Sequence, residues 1–194
     1  IEARRGAFVH SDSAFTLLLP VGKGPARRLA NPDLNVMSGS LESNNWQIDL
    51  QISTDMMQFG LAGLGMRTDA KVEFDKYDQY VPPRLSEFIE VHFETTSEEG
   101  IVCKDLVAPK DHHIWNFQIN SNMETQENLL EWPEIPLGNK RLFLLDVVTQ
   151  KVIDMSAVQS YRFAPAGESH PFRIYFGNEQ FIADNLTPDQ VRVG

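Results

Sequence analysis

Apolar and polar residues alternate along several short stretches of this chain. In WNFQINSN, Trp115, Phe117 and Ile119 alternate with Asn116, Gln118 and Asn120. A period of two places the apolar set on one face of a strand and the polar set on the other. The same pattern recurs at WQIDLQIS (Trp46 to Ser53), FIEVHF (Phe88 to Phe93) and FRIYF (Phe172 to Phe176). Further candidate strands are AFVHS (Ala7 to Ser11), FTLLLP (Phe15 to Pro20), AKVEF (Ala70 to Phe74), NLLEW (Asn128 to Trp132), RLFLLDV (Arg141 to Val147), KVIDM (Lys151 to Met155) and SYRFA (Ser160 to Ala164). Turn-prone residues separate them, among them Pro82-Pro83, Gly100, Pro109, Gly138 and Gly167. Helical periodicity is almost absent. The pattern predicts an all-β fold, an antiparallel β-sandwich of the jelly-roll or immunoglobulin-like kind with little helix. No block repeats at a fixed period, which argues against a solenoid or propeller.

The pair RLFLLDV and KVIDM is the clearest hairpin. Leu142 and Leu144 face one way and Phe143 and Leu145 the other, so both faces are apolar and the strand is expected to be covered on both sides. Asp146 is placed to accept hydrogen bonds from turn amides. The segment QFGLAGLGMRTDA (Gln58 to Ala70) has three glycines and no clean alternation, and reads as a loop packed under the sandwich edge. Residues 1–30 read as an N-terminal hairpin, either part of the same core or separate from it. Residues 31–185 form the expected sandwich domain. Residues 186–194 read as an exit linker, with helix-start chemistry at Thr187-Pro188-Asp189.

Length and composition narrow the possibilities. With 194 residues, 42% hydrophobic and 23% charged, the chain is ordinary globular material able to bury a core without staples. The formal net charge of −10 disfavours nucleic acid or an anionic membrane as a partner. No apolar run approaches the roughly 18 residues of a membrane span. Cys103 is the single cysteine, so no intrachain disulfide forms. Ile1 leads directly into charged residues without a Met, and the chain is expected to be a mature or excised fragment.

Candidate chemistry concentrates in one acidic loop. In EFDKYD, Glu73, Asp75 and Asp78 cluster in an irregular segment, which suits Ca²⁺ with its six to eight oxygen ligands. The alternative is an Asx turn and a strand-end cap, because Asp commonly serves turns and the spacing is not that of an EF-hand. Tyr77 and Tyr80 in the same loop are the candidate ligand-facing aromatics. Trp46 and Trp115 share the apolar face of their strands and read as core anchors rather than sugar platforms. Asp111-His112-His113 resembles a metal cluster, but adjacent histidines on a strand point to opposite faces and zinc needs three or four converging ligands. Cys103 in GIVCKDL reads as a buried small hydrophobe. No nucleophile elbow, HExxH or phosphate-cradling loop is present. No catalytic residue and no cofactor is assigned beyond a candidate structural Ca²⁺.

Several segments together resemble a known kind of domain. WQIDLQIS, FGLAGLGMRTDA, FDKYDQYVPP (Phe74 to Pro83) and FIEVHF follow the order of a Trp-led strand, a Gly-rich loop, an FD…D…PP loop and a strand. WNFQI, LLEWPEIPLG, LFLLDVVTQKVIDM, SYRFA and FRIYFG complete a second half. This series is similar to the β-sandwich modules of large exported bacterial surface proteins, found just before type IX secretion sorting or FlgD-like immunoglobulin C-terminal domains. The opening IEARRGAFVHS resembles the strand that precedes them, and the resemblance runs from about Ile1 to Asn185. It implies a non-catalytic structural, adhesive or assembly module at the bacterial cell surface, partnered by neighbouring domains or subunits. Gln150 departs from the pattern, which places Gly there. Three rivals remain: a carbohydrate-binding module with structural Ca²⁺, which aligned exposed aromatics would favour; an accessory or catalytic β domain of a secreted enzyme, which a pocket with paired carboxylates or a His-centred cluster would favour; and a subunit of a filament or surface layer.

Overall fold

The computed structural model describes residues 45–186 apart from 72–73, 85, 95–99, 124–126 and 135–137, and all of these lie in one compact unit, 37–194. The N-terminal hairpin expected at 1–30, the strands at Ala7–Ser11 and Phe15–Pro20, Glu73 and the helix start at Thr187-Pro188-Asp189 lie outside the described residues. So does the exit linker beyond Leu186.

The described residues are mostly strand. In chain order they are β1 (Trp46–Ser53), β2 (Gln58–Met66), β3 (Gln79–Tyr80), β4 (Ile89–Phe93), β5 (Val102–Val107), β6 (His113–Ser121), β7 (Asn128–Glu131), β8 (Arg141–Asp146), β9 (Lys151–Asp154), β10 (Ser160–Phe163) and β11 (Ser169–Gly177), followed by one helix, α1 (Glu179–Asn185). They form a single sheet in the order β10-β7-β1-β2-β5-β4-β6-β11-β8-β9, with β3 added on β5. Every pair is antiparallel except β2 and β5. The all-β expectation therefore holds. The sheet curls into a nearly closed, barrel-like form around one interior.

Alternation sets that interior. Trp46, Ile48, Leu50 and Ile52 of β1, Trp115, Phe117 and Ile119 of β6, and Phe172, Ile174 and Phe176 of β11 all point inward and are buried. Full burial of one such side chain stabilises by about 1.5–3 kcal/mol relative to leaving it exposed. The rings pack against one another: Trp46 meets Trp115 edge-on at 5.9 Å, Phe93 lies 5.4 Å from Phe117, and Phe117 stacks on Phe172 at 5.3 Å. The three tryptophans are thus core anchors.

β8 is covered on both faces, as its double apolar pattern requires. Leu142 and Leu144 enter the main interior. Phe143 and Leu145 turn outward into a second, smaller core with Tyr175 of β11 and Ile182 and Leu186 of the helix. Asn178 caps α1 by accepting from the Phe181 amide at 2.8 Å. Leu186 is buried at the end of α1.

Two local expectations are corrected. Gln58–Met66 is strand β2, not a loop, with Ala62, Leu64 and Met66 facing the core. Gly63 and Gly65 are what hid it. A Cβ on Gly65 would stand 2.2 Å from the Trp46 carbonyl oxygen, and one on Gly63 would stand 2.8 Å from that of Ile48 and 2.9 Å from Lys104 Cε. Lys104 lies across Gly63 to reach Asp49 at 2.8 Å. The close approach demands residues without side chains, and these erase the alternation. The second correction is the strand expected at Ala70–Phe74. Its described residues, Ala70, Lys71 and Phe74, are not strand, and Ala70 instead closes a turn by donating its amide to the Arg67 carbonyl at 3.0 Å.

Candidate functional site

The acidic loop folds on its own carboxylates. Asp75 Oδ1 accepts from the Tyr77 amide at 2.8 Å, and Oδ2 from the Lys71 amide at 2.7 Å. Asp78 Oδ2 accepts from the Asp75 amide at 2.9 Å, and Oδ1 from the Leu106 amide of β5 at 3.0 Å. Each carboxylate oxygen therefore holds one backbone N–H, and Asp78 fastens the loop to the sheet. This is the arrangement of an Asx turn. Burial pushes the Asp78 carboxyl above its ordinary range, against the two amides that favour the charged form.

The two tyrosines have partners within the fold. Tyr77 donates to Asp69, and Arg67 and Lys76 lie over its ring at 4.8 and 4.6 Å. Tyr80 stacks on Phe74 at 4.0 Å and presses against Gly100, where a Cβ would stand 2.9 Å from its ring. Both are half-buried. Among the described residues no aromatic side chain of Trp, Tyr or Phe is exposed.

The remaining sequence candidates also have places in the fold. His112 stacks on Phe181 of α1 at 4.6 Å, and His113 meets Trp115 edge-on at 4.5 Å. Burial, helped by Lys110 and His112, lowers His113 to about 4, so its imidazole is neutral. Cys103 is fully buried, and its thiol faces the carbonyls of Gln79 and Tyr80 at 3.3 and 3.4 Å. Burial raises it to about 12, far from a thiolate at neutral pH. Among the described residues no three His, Cys, Asp or Glu side chains converge as metal ligands.

The tightest polar cluster was only half legible in the sequence. Asp146, at the end of β8, accepts from the turn amides of Val148 and Thr149 at 2.9 and 3.0 Å, as its position predicts. It also accepts from His170 Nε2 of β11 at 2.9 Å and from Tyr161 Oη of β10 at 2.9 Å. His170 Nδ1 accepts the Ala166 amide at 3.2 Å, so the proton sits on Nε2. Burial opposes ionisation of Asp146, but the bonds from His170, Thr149 and Tyr161 outweigh it and hold the carboxyl well below its usual range. The signal for His170 lay in its phase. It sits two residues before Phe172 and four before Ile174, hence on the inner face, where a histidine needs a partner.

A second cluster lies on the opposite face of β4 from Ile89 and Val91. Glu90 Oε1 accepts from Arg84 Nε at 2.7 Å, from Arg84 Nη2, and from His92 Nε2 at 2.7 Å. Asn120 Nδ2 of β6 donates to His92 Nδ1 at 2.7 Å. Burial lowers the His92 pKa against the pull of Glu90. A buried Asp–His–Tyr set and a Glu–His–Asn set resemble catalytic relays in composition. Among the described residues no serine or threonine donates to either histidine, and burial keeps the Cys103 thiol protonated. A shallow depression lined by Asn139, Asn178, Glu179, Gln180 and Ala183 brings together no such pair.

No family model, curated protein or solved structure matches the chain.

Proposed function

We propose that the chain is a non-catalytic structural or adhesive module of a larger exported bacterial polypeptide, contacting neighbouring domains or subunits through its loops and sheet edges. One observation carries this reading. The carboxylates of Asp75, Asp78, Glu90 and Asp146 each bind backbone amides or neighbouring side chains of the fold itself. These four carboxylates are committed to architecture. The resemblance of the strand series to modules preceding type IX sorting or FlgD-like domains supports the exported setting. The barrel-like sheet acts in this reading as a flattened sandwich, with two facing halves sharing one core. The carbohydrate alternative calls for aligned exposed aromatics, and the described residues offer none. The acidic loop works without Ca²⁺ in this reading.

The setting is testable directly. An antiserum against the purified chain, applied to fractionated source cells, is expected to detect a species well above 22.0 kDa in the surface fraction. A band at the size of the free chain, confined to the cell interior, would overturn the proposal.

A further inference from the structure

Among the described residues the strand ladder begins at β10 and ends at β9, and backbone pairing does not join these two ends. Only residues 155–159 connect them. Side chains close the gap instead. Tyr161 Oη of β10 reaches past β9 to Asp146 Oδ2 of β8 at 2.9 Å. Trp132 Nε1 donates to the carbonyls of Met155 and Val158 at 3.0 and 2.9 Å, pinning the connection to the end of β7. The ring of Tyr161 lies under Lys151 Nζ at 5.2 Å, and Phe163 packs edge-on against Phe172 of β11 at 5.0 Å.

We propose that this seam is a latch: the barrel opens first here, by release of the Tyr161–Asp146 hydrogen bond and the parting of β10 from β7, which are paired over only four residues, while the ladders through β6 and β11 stay closed. The acceptor is fixed independently of Tyr161, because the Val148 and Thr149 amides and His170 hold Asp146 in place. Release of the latch moves β10 and leaves Asp146 Oδ2 to water, while Oδ1 keeps its three donors. A bond to an ionised carboxylate is stronger than a neutral one, so this single contact weighs heavily in the closed form. By contrast, β6 pairs with β11 over eight residues and with β4 over five, and those strands part only with much of the core. The open form frees the paired edges of β7 and β10, the kind of surface on which another strand can form.

Native-state hydrogen exchange on the full chain tests this. In the wild type, the amides that bond β10 to β7 are expected to exchange at least about tenfold faster than those of β6 and β11. Tyr161→Phe keeps the ring and removes only the hydroxyl. It is expected to speed exchange in β10 by a further factor of about ten, the loss of one charge-assisted hydrogen bond. Equal protection of β10 and β6 in the wild type would overturn the latch. So would a Tyr161→Phe chain whose β10 amides exchange as before. The first comparison needs no variant and decides the matter even if Tyr161→Phe folds poorly.

Discussion

Asp146 is fully buried and Asp105 half-buried, and they act on stability in opposite directions. Asp146 is surrounded by donors that lower its carboxyl below the ordinary range. It stabilises the fold above the unfolded value of 3.8, and that contribution is lost as pH falls below it. Among the described residues no hydrogen bond reaches the Asp105 carboxylate. Burial and the charge of Asp78 raise it to about 7, with only Lys110 pulling the other way. The folded state thus binds a proton that the unfolded state has released between pH 3.8 and about 7. Across that window Asp105 makes stability fall as pH rises. Asp105→Asn, which mimics the protonated form, should melt close to the wild type near pH 4. Its advantage should grow up to about pH 7 and then level off. Melting curves across that range check it, and an advantage independent of pH would contradict the assignment.

Glycine spacing explains why one element resisted reading while its neighbours did not. β1, β6 and β11 showed themselves through Trp46, Trp115 and Phe172, each leading two or more inward residues two apart. β2 has the same inward set, Ala62, Leu64 and Met66, but its outward partners Gly63 and Gly65 carry no polarity to alternate with. Gly65→Ala would drive a Cβ into the backbone of Trp46 and Gln47 and should cost about 1–3 kcal/mol. Gly60→Ala meets nothing within 4 Å and should stay within about 0.5 kcal/mol of wild type. Denaturant unfolding of the two variants separates them, and an equal effect would remove the close-approach argument. The β8–β9 hairpin was legible down to Asp146, and Gln150 in its turn occupies a left-handed conformation, φ 57°, the region that favours Gly. Helix α1 escaped because seven residues give barely two turns of periodicity, although Asn178 before Glu179 is a start signal.

At the scale of the whole molecule, the order of the strands was not in the local pattern. Alternation says which face is wet. It does not say that β2 runs parallel to β5, or that β7 and β10 lie beside β1. Those pairings depend on long-range packing, as does the meeting of Asp146, Tyr161 and His170 from three strands. Residues 74–78 are irregular chain with a turn, and sequence left open whether the carboxylates there serve a cation or the backbone. The structure of the loop favours the backbone, since Asp78 alone ties Leu106 of β5 to the Asp75 amide. Among the described residues no helix is long and apolar enough to cross a membrane. The account rests on polar groups holding the fold rather than a ligand, and one thermal melt tests that most directly. Wild type and Asp78→Ala are melted in EDTA and then in millimolar Ca²⁺. A cation bound only by the native state must raise its melting temperature by mass action. The expected result is one wild-type melting temperature in both conditions, with Asp78→Ala lower by the same amount in each. A Ca²⁺-dependent rise in the wild type that vanishes in Asp78→Ala would contradict the account and make the loop a metal site.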